Sequence, residues 1–186
     1  GLVEVENPSE MLLSGRPENA AGTCVTCVME GARPVMAEIQ ALIVNSSYST
    51  PRRTSNGFDY NRAAMLMAVL EKRAGLKVSS CDAYLNIIGG LNLDEPSADL
   101  AAVIALSSSY LDQPVGDDLV AIGEVGLTGE LRTVNHLDKR LSEVRRLGFR
   151  RCLIPAKRRS DLHIPDGLEL ISARDIGEAL RAVLRR

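Results

Sequence analysis

Gly90-Leu91-Asn92-Leu93-Asp94-Glu95-Pro96-Ser97-Ala98-Asp99 joins the exit of an apolar strand to the start of an apolar helix. The strand expected over Ala83–Ile88 runs into Gly89-Gly90, and the spacing of apolar residues predicts a helix from about Ser97 to Leu111. A hydroxyl at that helix start sits in the positive end of the helix dipole, beside backbone N–H groups able to stabilise an oxyanion. Serine is also a common helix N-terminal residue, and on that reading Ser97 caps its own helix through the side-chain oxygen.

Working outward, Thr23 to Gly31 and Pro34 to Val44 are apolar and β-branched, joined at Glu30-Gly31-Ala32-Arg33, and read as a strand pair. Asn45 to Asn56 is polar, contains Pro51-Arg52-Arg53, and reads as a loop or a short edge strand. Tyr60 to Ala74 has helical periodicity and stops at Gly75. Beyond Ser97, strand Leu119–Ile122 precedes a turn-rich pair through Gly126 and Gly129. Then come a helix Leu137–Leu147 ended by Gly148, strands Cys152–Ile154 and Leu168–Ile171, and a last helix Ala173–Leu184. Alternating strands and helices behind an opening hairpin predict an α/β fold, a mixed β-sheet with packed helices. Phe58, Met65, Leu66, Val69, Leu100, Val103, Ile104, Val120, Ile122, Leu141 and Val144 are its expected core. Gly1 to Gly22, with a helix-start signal at Asn7-Pro8-Ser9-Glu10, reads as a lead-in, and 23–186 as one domain. The opening Gly1, where an initiator methionine would stand, suggests a chain cut from something longer.

With 186 residues the chain is long enough for one core without disulfides or metal. Aromatics are 3% and tryptophan is absent, which argues against a base-stacking platform. No apolar run approaches a membrane span and no secretory signal opens the chain, so a cytoplasmic location is expected. Cys24, Cys27, Cys81 and Cys152 sit among apolar neighbours. The Cys24–Cys27 spacing falls in a strand, where residues three apart face opposite ways, so buried thiols are expected and no metal site. No phosphate-cradling G-x-x-x-x-G-K-[ST] and no G-x-G-x-x-G before a helix occurs, so no cofactor is expected in this chain. Net charge is −2 but uneven: residues 1–131 hold 8 Lys/Arg against 17 Asp/Glu, residues 132–186 hold 14 against 7. Such asymmetry points either to a nucleic-acid face or to solvated helix surfaces.

Gly123-Glu124-Val125-Gly126-Leu127-Thr128-Gly129-Glu130-Leu131-Arg132, the helix Leu137–Arg146 and the strand ending Ile154-Pro155 follow Pro96-Ser97-Ala98 in an order that resembles the proteolytic domain of Lon-type proteases. The resemblance covers about residues 83–160 and implies a Lon proteolytic-domain-like fold, ribosomal protein S5 domain 2-like, with Ser97 at the nucleophile's position. The family's second dyad residue, a lysine, falls on Arg140. A dyad lysine must shed its proton to act as general base, and a guanidinium does not do so in proteins. Lys139 is one residue away, about 100° around the helix, and is the fallback base, with His136 a further one. The dyad is expected to be degenerate, and no peptidase activity is expected.

Further motifs extend the resemblance nearly end to end. Asn7-Pro8-Ser9-Glu10, Glu38-Ile39-Gln40-Ala41-Leu42, Pro51-Arg52-Arg53, Asn61-Arg62, Ala68-Val69-Leu70-Glu71-Lys72-Arg73-Ala74-Gly75-Leu76 and Ser97-Ala98-Asp99-Leu100-Ala101 are similar to the RadA (Sms) family of bacterial DNA-repair proteins. That resemblance implies the C-terminal Lon-like domain of a protein whose zinc finger and RecA-like ATPase, with their Zn, ATP and Mg, lie upstream of Gly1. It further implies a homo-oligomer, a hexameric ring, that acts on single-stranded or branched DNA in recombination together with a RecA-type recombinase. Arg52, Arg53 and Arg62 then become candidates for DNA-phosphate or inter-subunit contact, as do Arg145, Arg146, Arg150, Arg151, Lys157, Arg158 and Arg159. A cryptic peptidase, or a regulatory protein-binding platform, is the alternative.

Overall fold

The computed structural model describes residues 13–88, 91–157 and 159–184. The helix-start signal at Asn7-Pro8-Ser9-Glu10 and the turn at Gly89-Gly90 lie outside them.

The strand pair expected at the start is β1 (Thr23–Glu30) and β2 (Arg33–Asn45), antiparallel and in register from Thr23 opposite Gln40 to Glu30 opposite Arg33. The polar stretch after it becomes the short edge strand β3 (Arg53–Asn56). Helix α1 (Tyr60–Ala74) follows, its N-terminus capped by Asp59, which accepts from the Arg62 N–H at 3.1 Å. At its other end Gly75 takes φ +74°, the left-handed conformation that closes a helix and that glycine adopts without a Cβ penalty. Next come β4 (Cys81–Ile87), a 3₁₀ turn (Pro96–Ala98), α2 (Asp99–Leu111), β5 (Leu119–Ala121) and the small hairpin of β6 (Glu124–Val125) and β7 (Leu131–Arg132). Helix α3 (Leu137–Arg146), β8 (Arg151–Pro155), β9 (Glu169–Ala173) and α4 (Ile176–Val183) complete the order.

Seven strands form one mixed sheet in the order β3-β4-β2-β1-β5-β8-β9. β2 alone runs against the other six: it returns from the hairpin with β1, the chain turns back again into β3, and the strands after β3 are each parallel to a neighbour in the sheet. Helices α1, α2 and α4 cover one face and α3 covers part of the other, giving two apolar clusters separated by the sheet. Strand β1 is central: Cys24 and Val28 enter the first cluster, Val25 and Cys27 the second. The two cysteines therefore face opposite ways. Helix α2 is buried on all sides from Asp99 to Ser108, pressed between the sheet and the other two helices, and so shows no one-sided apolar stripe.

Three details differ from the sequence reading. The helix expected from Ser97 begins at Asp99, because Pro96 sets a 3₁₀ turn ahead of it. The last helix, expected from Ala173, begins at Ile176: β9 runs on to Ala173, and Asp175 accepts from the Glu178 N–H at 2.8 Å and caps the helix there. Met65 is only half-buried, at the margin of the first cluster, while the other expected core residues are buried. Residues of the lead-in also pack on the domain. Leu13 lies against the second cluster, and the Arg16 guanidinium stands 5.6 Å from the Phe149 ring and pairs with buried Glu38 at 3.1 Å.

Candidate functional site

Ser97 is placed by the 3₁₀ turn at the entry to α2 and is 1% exposed. Its carbonyl accepts from the Gly123 N–H at 2.9 Å, tying the turn to the end of β5. The structure gives it no side-chain capping bond to α2. The expectation of a cap is corrected: the Ser97 Oγ instead accepts from Arg140 Nη1 at 2.8 Å. Helix α3 brings Arg140 there by turning Leu137, Leu141, Val144 and Arg140 toward the sheet along one face.

Arg140 is wholly buried. A guanidinium has five N–H donors, and each has an acceptor here. Nε donates to the Asn135 carbonyl at 2.9 Å, and Nη1 to the Cys27 carbonyl at 2.9 Å as well as to Ser97. Nη2 donates to Asn135 Oδ1 at 2.8 Å and forms an ion pair with Glu95 Oε1. The other Glu95 oxygen accepts from the Met29 N–H at 2.8 Å. Arg140 thus ties α3, the end of β1 and the turn before α2 into one network. Burying a guanidinium is expensive unless its donors are met, and complete satisfaction makes the arrangement tenable. A dyad base would have to accept the Ser97 proton, and here the group facing Ser97 donates.

The fallback bases stand elsewhere. Lys139 is exposed on the outer side of α3, beside Pro34 and Ser142. His136 is exposed at the start of α3, with φ +54°. Next to the site, Asp99 is buried and held by both forks of Arg62 and by the Val125 N–H at 3.0 Å. Burial pushes the Asp99 carboxyl above its ordinary value, with the Arg62 hydrogen bond opposing.

Five of the ten candidate cations have internal hydrogen-bond or ion-pair partners. Arg62 belongs to Asp99. Arg53 donates to the carbonyls of Cys81, Val78 and Ser79, closing the 3₁₀ turn ahead of β4. Arg145 donates to the Asp166 carbonyl at 2.8 Å, Arg146 pairs with Glu143 at 2.6 Å and Arg151 with Asp118 at 2.9 Å. Arg52 is exposed and stacks on Tyr48, its guanidinium carbon 4.0 Å from the ring centre. Arg150 and Lys157 are exposed, and among the described residues no acid pairs with either. Arg158 lies outside the described residues, as does the side chain of Arg159, whose backbone begins a 3₁₀ turn. The basic stretch continuous in sequence is divided over the two ends of β8: Arg150 and Arg151 at one, Lys157 at the other, about 20 Å away at roughly 3.3 Å per residue.

The sequence reading missed Glu95, Asn135 and the backbone groups of Cys27 and Met29. Glu95 was the readable one, an acid next to Pro96-Ser97 with an arginine expected opposite. All four cysteines are buried free thiols. Among the described residues no three or more His, Cys, Asp or Glu gather in a metal-binding group, and no helix is long and apolar enough to cross a membrane.

Residues 82–186 match the Lon protease (S16) C-terminal proteolytic domain. The chain belongs to this family. Its full length is similar to a part of longer proteins. The DNA repair protein RadA of Bacillus subtilis is 49% identical over 184 residues, 99% of this chain and 40% of that protein. The RadA protein of Halalkalibacterium halodurans is 46% identical over 186 residues, 100% of this chain and 41% of its own. That of Listeria monocytogenes is 46% identical over 184 residues, 99% and 40%. The chain spans about two fifths of the length of these curated relatives. Within the Lon-type domain, Ser97 and Arg140 fall where the sequence resemblance places the serine and lysine of the family's dyad.

Proposed function

We propose that this Lon-type domain is the non-catalytic part of a RadA-like DNA-repair protein, serving assembly and DNA contact rather than peptide hydrolysis. The carrying observation is Arg140: a guanidinium fills the place of the general base, donates to Ser97, and has no N–H left over. A site so filled has a donor where a general base would have to accept the Ser97 proton, and Ser97 itself is buried. The similarity to DNA repair proteins over the whole chain supports the repair role. In this reading the domain works beside an ATP-driven portion, in a ring, on recombination intermediates with a RecA-type recombinase.

For DNA contact the reading narrows to Arg52, Arg150 and Lys157, exposed cations unpaired with acids among the described residues. Phosphate contact of this kind is independent of sequence and strongly salt-dependent. The test is fluorescence anisotropy of labelled single-stranded and branched DNA with the chain, titrated between 50 and 200 mM salt, these concentrations being the range over which phosphate contacts are lost. Binding should fall steeply with salt. Arg150→Ala and Lys157→Ala should each weaken it on all sequences and flatten the log–log slope by about 1. Binding that is flat in salt and indifferent to all three cations would refute DNA contact and leave a protein-binding platform.

A further inference from the structure

Residues 16–22 belong to no helix or strand, yet polar contacts hold them against the domain as a strap. Arg16 Nε donates to Glu38 Oε2 at 3.1 Å, and the Glu38 side chain is 1% exposed. The other Glu38 oxygen accepts from the Gln40 amide at 2.7 Å. Arg16 Nη1 donates to the Asp117 carbonyl at 2.9 Å, while the guanidinium lies over the Phe149 ring. Three residues on, the Asn19 N–H points at the Asp117 carboxylate, 3.1 Å from each oxygen. Asn19 has φ +51° there, a left-handed conformation that asparagine tolerates better than most residues. At the far end the Gly22 N–H donates to Ser108 Oγ at 2.8 Å, and the Gly22 carbonyl accepts from the Ala41 N–H at 2.7 Å. A buried carboxylate without its cation is costly, so the Arg16–Glu38 pair favours the docked strap.

Two of these anchors fall on one short loop, residues 116–118, just before β5. That loop also holds the start of β8. The Asp118 carbonyl accepts from the backbone N–H groups of Arg150 and Arg151, at 3.2 and 3.1 Å, and Asp118 Oδ1 accepts from the Arg151 guanidinium at 2.9 Å. Phe149, beneath Arg16, directly precedes Arg150. Arg150 is thus fixed from two sides by groups that the strap itself contacts, the Asp117-Asp118 loop and the Phe149 ring. Its neighbour Arg151 is taken up by Asp118, whereas Arg150 is exposed and one of the cations assigned above to phosphate.

We infer that the strap regulates this cation. Docked through Arg16 and Asn19, it holds the loop and Phe149 so that Arg150 is placed for a DNA phosphate; released, it frees both, and affinity falls. The inference rests on the DNA-contact reading above and names its regulation. The strap acts through position, and charge separates that from a general electrostatic effect. Asp117→Ala removes a negative charge, which by itself would tighten DNA binding. Arg16→Ala combined with Glu38→Gln leaves the net charge unchanged and strands no buried carboxylate. Release of the strap weakens binding in both.

Fluorescence anisotropy of labelled single-stranded DNA with the whole chain, wild type against these two variants, tests this. Each variant should bind more weakly by at least about twofold, the lower end of the range for coupling through packed contacts. In an Arg150→Ala background neither should cause a further loss. Hydrogen exchange at the Arg150 and Arg151 amides should quicken in both variants. Asp117→Ala binding as tightly as wild type or more so, an equal loss in the Arg150→Ala background, or unchanged exchange would each overturn the strap's role and leave DNA contact standing. A wild type that binds no DNA would remove the contact itself and the strap's role with it.

Discussion

Arg140 Nη1 donates to Ser97 Oγ at 2.8 Å across 43 residues of chain, and neither side chain is open to solvent. The relationship turns what would be a nucleophile into a hydrogen-bond acceptor. It also makes a pair of positions usually read for chemistry into a join between α3 and the entry to α2.

Loss of Arg140 should unsettle the whole domain. Arg140→Met leaves Glu95, Asn135 and the Cys27 carbonyl without their donor, and Glu95→Gln leaves a buried cation without its counter-charge. Each should lower stability by about 3–5 kcal/mol in urea unfolding, the scale for breaking one side of a buried pair. The double variant should cost clearly less than the two together, because the partners act as a unit. Additive costs would mean that the pair is not coupled.

Ser97→Ala should have a smaller effect of the same kind. It leaves one Arg140 N–H unmet in the interior, a loss of about 1–3 kcal/mol. Arg140→Met should absorb most of that cost, so Ser97→Ala in its background should be close to neutral. An unchanged cost there would trace the Ser97 effect to another contact.

The thiols should be inert in the folded chain. Burial pushes Cys24 and Cys27 up to about 12, and Cys152 well above the ordinary thiol value. At pH 8 a thiol-reactive dye should label none of these three until denaturant is added, since the thiolate is the reactive form. Rapid labelling of any of them under native conditions would contradict their placement in the core.

The β6–β7 hairpin should loosen in acid. The Thr128 hydroxyl and the Arg132 guanidinium hold the Glu130 carboxyl down to about 2. A depressed carboxylate contributes stability above its unfolded value and loses it as pH falls through the folded one. Hydrogen exchange at the hairpin should therefore be slower in wild type than in Glu130→Gln at pH 6, and the difference should vanish between about 4.5 and 2. A difference that persists below that range would point to a cause other than ionisation.

Much of the fold was legible because strand and helix periods alternate cleanly and glycines end the helices at Gly75 and Gly148. The mixed sheet followed from one short hairpin, which forces β2 to run against its neighbours. The site was legible only in outline. Ser97 and Arg140 could be paired by motif order, but the roles of Glu95 and Asn135 depend on how α3 packs across the sheet, which no local pattern encodes. Arg53, Arg62 and Arg151 look alike in sequence to Arg52 and Arg150. Their internal partners, the carbonyls before β4, Asp99 and Asp118, lie 25 or more residues away, so the division into structural and free cations appears only in three dimensions.

The most direct test of the central claim, that Ser97 and Arg140 form a structural join and no dyad, is hydrolysis of a fluorescently labelled unfolded protein by wild type and Ser97→Ala side by side. The two should release fluorescence at the same background rate. Hydrolysis by the wild type that disappears in a folded Ser97→Ala protein would contradict the account.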